Sequence, residues 1–509
     1  MSTLKKTAIW ITLLAVFLKL SGFIRESIIS NEFGVSDQTD GYVYAFTLVT
    51  LVVAMISGGF NSVFLPMYTQ KKLENEKEAD KNATGIMNGT VLVFLLVSVA
   101  GYFLIPYILP IITPSNLAAG AQDVAIRMMR IFFLGMGAIA LNGILETYLQ
   151  TRKIFVPAQI SKILATLMGA VFAIFFSDRW GIYSLAYGFI FGTVLGILIQ
   201  SFYLWKGGFK WYPSIKVEKD FHKAFLILLL PAVLNSVVSQ FNVFVNKTFA
   251  LGTTGGGATY LDKASLLVSI PNTIYLTTIV AIIFTLLSEQ VGDKKKFQNT
   301  VFMGLQVSFV TLFPIAIGLF LLGKEAIAFV YQRGLFTAED TANTYIAMVL
   351  YLPMIIAQAL QYIVSKAMFA MGKTKVIFKI SVTTIAINFI VNMLIVDSLG
   401  YPGLAVTASV VNIYLLIVST TIMYREFDPG ESRRLFVLVA RVIPPTLFMA
   451  VPIYIIKHYT QLGALPALVQ LGLFGMMGVI LYAVGLYLFY REAFDKLLSL
   501  VKRKSKKTV

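Results

Sequence analysis

The chain has 509 residues, of which 57% are hydrophobic and only 13% are charged, and long uncharged runs recur from one end to the other. No stretch has the composition of a soluble domain, so we predict an all-α protein that crosses a membrane many times. The formal net charge of +17 lies mainly at the ends of the apolar runs. This distribution predicts the bilayer, with its anionic headgroups, as a partner and no nucleic acid.

Residue types that are absent or rare exclude several kinds of active site. The sequence has no cysteine and only two histidines, His222 and His458, which lie far apart. Disulfides, thiolate metal sites, Cys nucleophiles and histidine-based hydrolase sites are therefore unsupported. No Walker A sequence occurs, so direct use of ATP is not expected. These absences favour a transporter that has no bound cofactor over an enzyme.

Runs of about 18 or more apolar residues predict about fourteen membrane-spanning helices. The first six runs lie near residues 7–30, 38–69, 84–106, 123–150, 155–177 and 182–204. The remaining runs lie near 224–251, 258–289, 300–322, 341–371, 376–397, 401–424, 435–457 and 466–490. Lysine and arginine concentrate in alternate loops, and the loops between them are nearly devoid of both. The positive-inside rule then places both termini in the cytoplasm.

An internal repeat indicates how these helices are arranged. The segment YLQTRKIFVPAQISKI, which begins at Tyr148, resembles FAMGKTKVIFKISVTT, which begins 221 positions later at Phe369. Gly181 similarly matches Gly400, at an offset of 219 positions. We therefore predict two pseudo-symmetric six-helix lobes, an architecture typical of secondary transporters, and two extra C-terminal helices. The predicted parts are residues 1–222, 223–434 and 435–509, the last of which ends in a basic cytoplasmic tail.

Charged residues in or beside the apolar runs predict a binding cavity. They are Lys19, Arg25 and Glu26 in the first run, Asp40 at the start of the second, and Lys263 in the eighth. A Lys or Arg at the bilayer centre costs about 2.5–3.5 kcal/mol on insertion scales, so such residues normally face a bundle interior or a wet cavity. In a two-lobed transporter the first two helices should face the seventh and eighth across this cavity. The mixture of signs predicts an anion site whose cations pair with carboxylates when it is empty.

Plainer interpretations of these charges remain open. Arg25 and Glu26 could form an interfacial pair that reaches water at the end of the first helix. Lys263 could form a structural pair with its neighbour Asp262 inside the membrane. A non-transporting scaffold, by contrast, would need no buried charge, so the presence of these residues argues against that third class of protein.

Seven motifs distinguish this chain, and in the last two of them the spacing of the polar residues is not that of general membrane composition. They are SGFIRESIISNEFG at 21–34, TDGYVYAF at 39–46, FLPMY at 64–68, LLLPAVLNSVVSQFNVFVNKTFA at 228–250, TYLDKAS at 259–265, YQRGLFTAED at 331–340 and SKAMFAMGKTK at 365–375. Through them the chain resembles the MurJ (MviN) lipid II flippases of the multidrug/oligosaccharidyl-lipid/polysaccharide exporter superfamily. The last two motifs are the most specific.

The resemblance implies a flippase that carries lipid II, the undecaprenyl-pyrophosphate-linked disaccharide pentapeptide, from the inner to the outer leaflet for peptidoglycan synthesis. It also implies a place in the bacterial cytoplasmic membrane, a role in cell shape, and other cell-wall synthesis proteins as further partners. Family positions that line the central cavity match Arg25, Glu26 and Lys263 here, while Asp40 and Lys19 match an acidic and a basic position. The two added helices form a lipid-tail groove in family members, which would fall on residues 435–490.

Some positions depart from the family pattern. Where many members carry basic residues in the middle of the second helix, residues 48–59 read LVTLVVAMISGG. Lys19 and Lys263 stand where Arg is common, and Lys is a point charge rather than a two-pronged donor for pyrophosphate. These departures keep two alternatives open: another polyprenyl-linked glycan of capsule, O-antigen or teichuronic type, and a cation-coupled multidrug exporter. The exporter would be expected to have acid-rich lobes and about twelve helices.

The positions of a sodium site also depart from the family pattern. Some members bind Na⁺ with residues of helices 7, 11 and 12, including acids, and the matching positions here are Asn246, Asn388, Asn392 and Thr407. Neutral amides weaken a site for a hard cation. Coupling to Na⁺ and coupling to the membrane potential alone are therefore both retained as hypotheses.

Overall fold

The computed structural model describes residues 2–113, 119–152, 154–253, 255–275 and 292–505, with residues 280, 283, 286, 287 and 290 between the last two ranges. Within these ranges the chain is helical and has no strand, which confirms the predicted all-α membrane fold. The helices are α1 (Ser2–Phe33), α2 (Asp37–Ala54), α3 (Asn61–Glu74), α4 (Glu76–Ile112), α5 (Ala119–Leu134), α6 (Met136–Thr151), α7 (Val156–Trp180), α8 (Ser184–Lys206), α9 (Lys219–Leu251), α10 (Gly257–Tyr275), α11 (Lys294–Tyr331), α12 (Ala338–Ala370), α13 (Thr374–Leu399), α14 (Tyr401–Tyr424), α15 (Glu431–Tyr459), α16 (Ala467–Phe489) and α17 (Arg491–Ser505).

Eight helical segments of the described chain are long and apolar enough to cross a membrane, or nine when the bent pair α5–α6 is taken as one span. One of the eight runs over 51 residues and contains both α7 and α8. Because an α-helix rises 1.5 Å per residue and the hydrocarbon core is about 30 Å thick, this segment is long enough for two crossings. The count of fourteen spans stays a prediction.

Two predicted helices are interrupted. The apolar run over 123–150 predicts one helix, but the structure bends the chain by 55° between α5 and α6, at Gly135. The run over 38–69 contains a π-helical turn, Met55–Phe60, whose sequence MISGGF holds two adjacent glycines. Glycines and π-turns are both recognised causes of helix kinks. Hydrophobicity alone does not reveal either break.

The chain divides into two compact units. The first contains residues 1–259 and 333–337, and the second contains residues 260–332 and 338–509. In the first unit α9 packs against α2 and α3, although the repeat predicts α9 as the start of the second lobe. Compact packing and repeat symmetry are different criteria, so the predicted lobes stay a prediction.

Small residues explain the tightest helix pair of the first unit, α7 with α8. Gly188, Gly192 and Gly196 repeat every four residues along one face of α8. A side chain at Gly188 or Gly192 would overlap the carbonyl oxygens of Met168 and Leu164 on α7. This is the small-xxx-small pattern through which membrane helices approach each other closely.

The second unit contains the predicted counterpart of this pair, α13 with α14. Gly181 ends α7 with φ 55° and ψ −144°, and Gly400 ends α13 with φ 66° and ψ −148°. Positive φ at this position favours glycine because it has no Cβ. The matched glycines of the sequence repeat therefore have the same backbone conformation in both units. The added helices α15 and α16 pack against each other and against α11.

Candidate functional site

The candidate site in the first unit is an ion pair in the C-terminal third of α1. Arg25 Nη2 lies 2.7 Å from Glu26 Oε1, and Arg25 Nε donates to the same oxygen at 3.2 Å. The side chain of Glu26 is 6% exposed and that of Arg25 is 16% exposed. The guanidinium carbon also lies 4.7 Å from the ring centre of Phe46 on α2. A cation is thus held in an apolar setting by a carboxylate and an aromatic face.

Lys19 differs from this pair. Lys19 is exposed, whereas Glu26, another predicted site residue on the same helix, is buried. No ion pair involves Lys19 among the residues that the structure describes. Its spacing of seven from Glu26 put both on one helix face, and the ion pair that the structure shows at Glu26 is the one with Arg25. The substrate-binding role of Lys19 stays a prediction.

Asp40, the predicted acid of the second helix, has both carboxylate oxygens engaged by backbone. It is 4% exposed, and Ser36 caps the helix that holds it through a capping box with Thr39. Oδ2 accepts from Gly256 N at 2.8 Å, and Oδ1 accepts from Thr259 N at 2.8 Å and Thr259 Oγ1 at 2.5 Å. These N–H groups lie at the start of α10, where a helix leaves its donors unsatisfied. The geometry is that of a long-range helix cap, and a contact with substrate stays a prediction.

In the second unit Lys263 on α10 is 1% exposed. Its Nζ lies 4.8 Å from the ring centre of Tyr331 on α11. The hydroxyl of Tyr331 approaches the carbonyl oxygen of Lys263 at 3.5 Å, at the outer limit for a hydrogen bond. A buried cation over an aromatic face gains about 2 kcal/mol or more when desolvated. Tyr331 on α11 is thus one of the groups that hold Lys263.

Two of the motifs quoted above meet at this place. Tyr260, in TYLDKAS, donates to Asp340 Oδ1 at 2.8 Å, and Asp340 ends the motif YQRGLFTAED. Tyr331, the first residue of that motif, lies over Lys263. The contacts explain why the motif has polar residues at both ends: each end supports α10. Its middle belongs to the first unit, where Leu335 N donates to Asn31 O at 3.1 Å near the end of α1.

The predicted sodium residues lie on α9 of the first unit and on α13 and α14 of the second. Asn388 and Asn392 on α13 are buried, and Asn392 Nδ2 donates to Asn388 Oδ1 at 2.8 Å. Thr407 on α14 is also buried and donates to its own helix at Gly403 O. Asn246 is half-buried on α9 of the first unit. No group of three or more acidic, histidine or cysteine residues that could hold a metal ion occurs among the described residues. The donor set is therefore one of neutral oxygens, and Na⁺ binding stays a prediction.

Two aromatic residues were missed when only charges were considered. Phe46 lies under Arg25, and Tyr331 lies beside Lys263. Both stand at the edge of a motif, TDGYVYAF and YQRGLFTAED, so the signal was present in the sequence. Each cation can present its charge to a phosphate while its stem and one face rest on an aromatic ring.

The chain was compared with known proteins. The sequence profile of the family described as "Lipid II flippase MurJ" matches residues 29–474. A "Probable lipid II flippase MurJ" of Buchnera aphidicola subsp. Acyrthosiphon pisum is 24% identical over 89% of this chain and 90% of its own length. One of Rickettsia prowazekii is 23% identical over 90% and 91%. The "Lipid II flippase MurJ" of Burkholderia cenocepacia is 24% identical over 77% and 78%.

Solved structures show the same fold. A structure described as "Lipid II flippase MurJ, inward closed conformation" superposes with a TM-score of 0.80 at 23% identity, over 95% of this chain and 99% of that one. An inward-facing multidrug resistance MATE family transporter of the MOP superfamily superposes with a TM-score of 0.66 at 14% identity, over 83% and 96%. The profile match covers most of the chain and confirms the resemblance carried by the motifs. The chain therefore belongs to the MurJ family of lipid II flippases, which are multi-pass transporters of the bacterial inner membrane rather than enzymes.

Proposed function

We propose that this chain moves lipid II from the inner to the outer leaflet of the bacterial cytoplasmic membrane for peptidoglycan synthesis. Membership of the family supports the proposal, and the observation that carries it is the Arg25–Glu26 pair. Two guanidinium nitrogens contact one carboxylate oxygen in an apolar setting. Such a pair neutralises the cation when no anion is present and leaves it able to exchange partners.

The pyrophosphate of the substrate carries about two negative charges, and charge-assisted hydrogen bonds must replace its water. Arg25 offers a planar fork for two phosphate oxygens, and Lys263 offers a second, compact positive charge. We propose that the pyrophosphate takes the place of Glu26 on Arg25 and binds Lys263 in the same transport cycle. Alternating access by the two halves would then carry the headgroup across while the isoprenyl tail stays in lipid.

The energy source is the next part of the proposal. When the inside of the membrane is negative, moving an anion outward is favourable by about 2.3 kcal/mol per charge per 100 mV. The membrane potential can thus drive export without ATP. The neutral oxygens of Asn388 and Asn392 support at most weak Na⁺ binding, so we propose that the potential dominates. In this arrangement both termini are cytoplasmic, which a reporter enzyme fused to either end can check.

The charge-free middle of the second helix gives specific support to a second substrate. From Gly41 to Ala54 α2 carries no charged residue, so this part of the helix offers no cation to the acidic groups of a peptide. Another polyprenyl-linked glycan without a peptide is the alternative substrate, and the cation site on α1 would serve its phosphate equally well.

Complementation tests the assignment. Cells depleted of their own lipid II flippase should grow when this chain is supplied, and should lyse when it carries Arg25→Ala. Lys162→Ala is the matched control, because Lys162 on α7 also forms an ion pair inside the first unit, 2.5 Å from Glu146, but does not belong to the proposed site. A chain that inserts normally and still fails to rescue these cells would overturn lipid II as substrate. Rescue by Arg25→Ala as good as by the unchanged chain would overturn the anion site.

A further inference from the structure

An apolar groove of about 610 Å³ lies in the first unit, beside the linker 207–218 that joins α8 to α9. Residues of α4, α6 and α8 form its floor and walls, among them Met87 and Leu145, which are buried. Its rim is formed by Trp205, Trp211 and Ile215, which are 72%, 57% and 63% exposed. None of the residues in the proposed transport site lines this linker groove.

The rim of the linker groove is held in place by one side chain. Asn88 on α4 lines the groove and accepts from Trp211 Nε1 at 3.1 Å. Its amide nitrogen donates to the backbone oxygens of Tyr212 at 3.1 Å and Ser214 at 2.9 Å. Three of the four hydrogen bonds that this amide can form thus go to the linker. The linker groove is thus pre-formed. At its mouth Trp211 is held by its hydrogen bond to Asn88, and Trp205 belongs to α8.

The linker groove is flanked by an excess of positive charge. Lys206, Lys210 and Lys216 are exposed and form no ion pair within the described chain. The carboxylates of this region are engaged by other cations, in the pairs Asp80–Arg152, Glu218–Lys71 and Glu76–Lys72. The hydrogen bond from Lys71 lowers the pKa of Glu218 below its ordinary value, so this acid stays charged and occupied. Lys210 lies close enough to Glu76 to interact with its charge, which leaves Lys206 and Lys216 to meet an external anion.

The internal repeat indicates where Lys206 lies relative to the linker groove. The second unit has a groove of about 590 Å³, and four of its lining residues lie 219 positions after counterparts in the first unit. These pairs are Leu141 and Leu360, Ser201 and Thr420, Trp205 and Tyr424, and Lys206 and Arg425. Arg425 itself lines the second groove. In each unit, an aromatic residue that lines the groove is thus followed directly by a cation at the end of its helix.

We propose that the linker groove binds one anionic phospholipid. An acyl chain lies against the apolar walls, and the phosphate meets Lys206 and Lys216, with Trp205 and Trp211 at the level of the headgroups. Tryptophan prefers this interfacial depth, and lysine near the membrane surface attracts anionic lipid. Apolar walls alone would also suit a helix of another membrane protein. The unpaired lysines favour the lipid, since a hydrophobic helix would leave them without an anion.

Lipid-specific quenching tests the proposal on the full chain. Four tryptophans are present, Trp10, Trp180, Trp205 and Trp211, so W10F/W180F leaves only the two at the groove. This variant is reconstituted in phosphatidylcholine bilayers that contain a small fraction of brominated phosphatidylglycerol or, separately, of brominated phosphatidylcholine. We expect the brominated phosphatidylglycerol to quench several-fold more strongly at equal mole fraction. Equal quenching by both lipids would overturn the proposal.

Charge variants locate the effect. K206Q/K216Q in the same background should reduce the preference for phosphatidylglycerol about fivefold per lysine, the effect of about one surface lysine on anionic-lipid binding. K219Q/K223Q is the matched control, because it removes two exposed lysines from the start of α9 that do not flank the groove. W205F/W211F, which leaves Trp10 and Trp180, should show no preference. A preference that survives K206Q/K216Q, or one that the control pair abolishes equally, contradicts the assigned site. The test is independent of transport, so it does not depend on the identity of the substrate.

Discussion

Arg25 in the first unit and Lys263 in the second are the two cations proposed for one anion, yet the protein holds them differently. Arg25 is neutralised by the carboxylate of the next residue, at 2.7 Å, and remains 16% exposed. Lys263 is 1% exposed and lies over the ring of Tyr331. The first arrangement resembles a switch between two acceptors. The second resembles a fixed charge, whose position is set by an aromatic face.

Asp40 adds a third kind of charge to the comparison. As a residue, Asp40 is as buried as Glu26, at 4% exposed each, but the hydrogen bonds to its carboxylate come from the first turn of α10 and the residue before it. A buried charge in a membrane protein can therefore be structural, exchangeable or fixed. Substitutions of these residues should separate the three roles, and the expected loss of stability is largest for Arg25 and smallest for Lys263.

Removal of Arg25 should have the largest effect. Arg25→Gln leaves Glu26 buried without its cation, and breaking a buried pair in this way costs about 3–5 kcal/mol. Thermal unfolding followed by intrinsic fluorescence in detergent should show this loss. R25Q/E26Q should recover most of the stability, because no uncompensated charge remains, but should not recover transport. If the double variant transports lipid II normally, the pair is structural and the comparison with Lys263 fails.

Loss of the Asp40 carboxylate should have the next largest effect. Asp40→Ala leaves the N–H groups of Gly256 and Thr259 unsatisfied, at about 1–3 kcal/mol for each buried donor. Asp40→Asn keeps one acceptor oxygen, so its stability should lie between that of Asp40→Ala and that of the unchanged chain. Transport measured at a temperature where both variants are folded should be near normal. Loss of transport in a fully folded Asp40→Asn variant would instead assign Asp40 to the substrate.

The contrast between these roles also shows what the sequence could supply. Composition and apolar run length were sufficient for the all-α membrane fold, because the bilayer imposes long apolar helices. The break at Gly135 and the π-turn over Met55–Phe60 were not predicted, since both keep the local hydrophobicity unchanged. The repeat was visible in sequence and reappears as equal backbone conformations at Gly181 and Gly400.

The candidate site was predictable only in part. Charges inside apolar runs identified Arg25, Glu26 and Lys263, because bilayer energetics makes such charges conspicuous. The partner of Asp40 lies 219 positions away at Thr259, and no local pattern predicts such a contact. Phe46 and Tyr331 looked like ordinary apolar residues, since a cation–π contact depends on where a ring lies rather than on which residue carries it.

Substitution of Tyr331, whose ring lies beside Lys263, should have a smaller effect on stability. Tyr331→Leu removes the aromatic face and should cost about 0.5–2 kcal/mol through the lost cation–π contact. Tyr331→Phe keeps the face, so it serves as the matched control and should be nearly neutral. The affinity for lipid II should fall with Leu and persist with Phe. Equal effects of Leu and Phe would assign the role to the hydroxyl group that approaches the carbonyl oxygen of Lys263.

Replacement of Lys263 itself should have the smallest effect on stability and a large one on transport. Lys263→Met keeps most of the volume of the side chain; it removes the cation–π contact with Tyr331 and also the cost of burying a charge, and these two changes offset each other. We therefore expect unfolding to change by about 1 kcal/mol or less, while complementation is lost. Lys263→Arg keeps the charge and should retain partial transport. If Lys263→Met destabilises the protein as much as Arg25→Gln does, Lys263 is part of a structural pair, and the fixed charge proposed for the second unit is wrong.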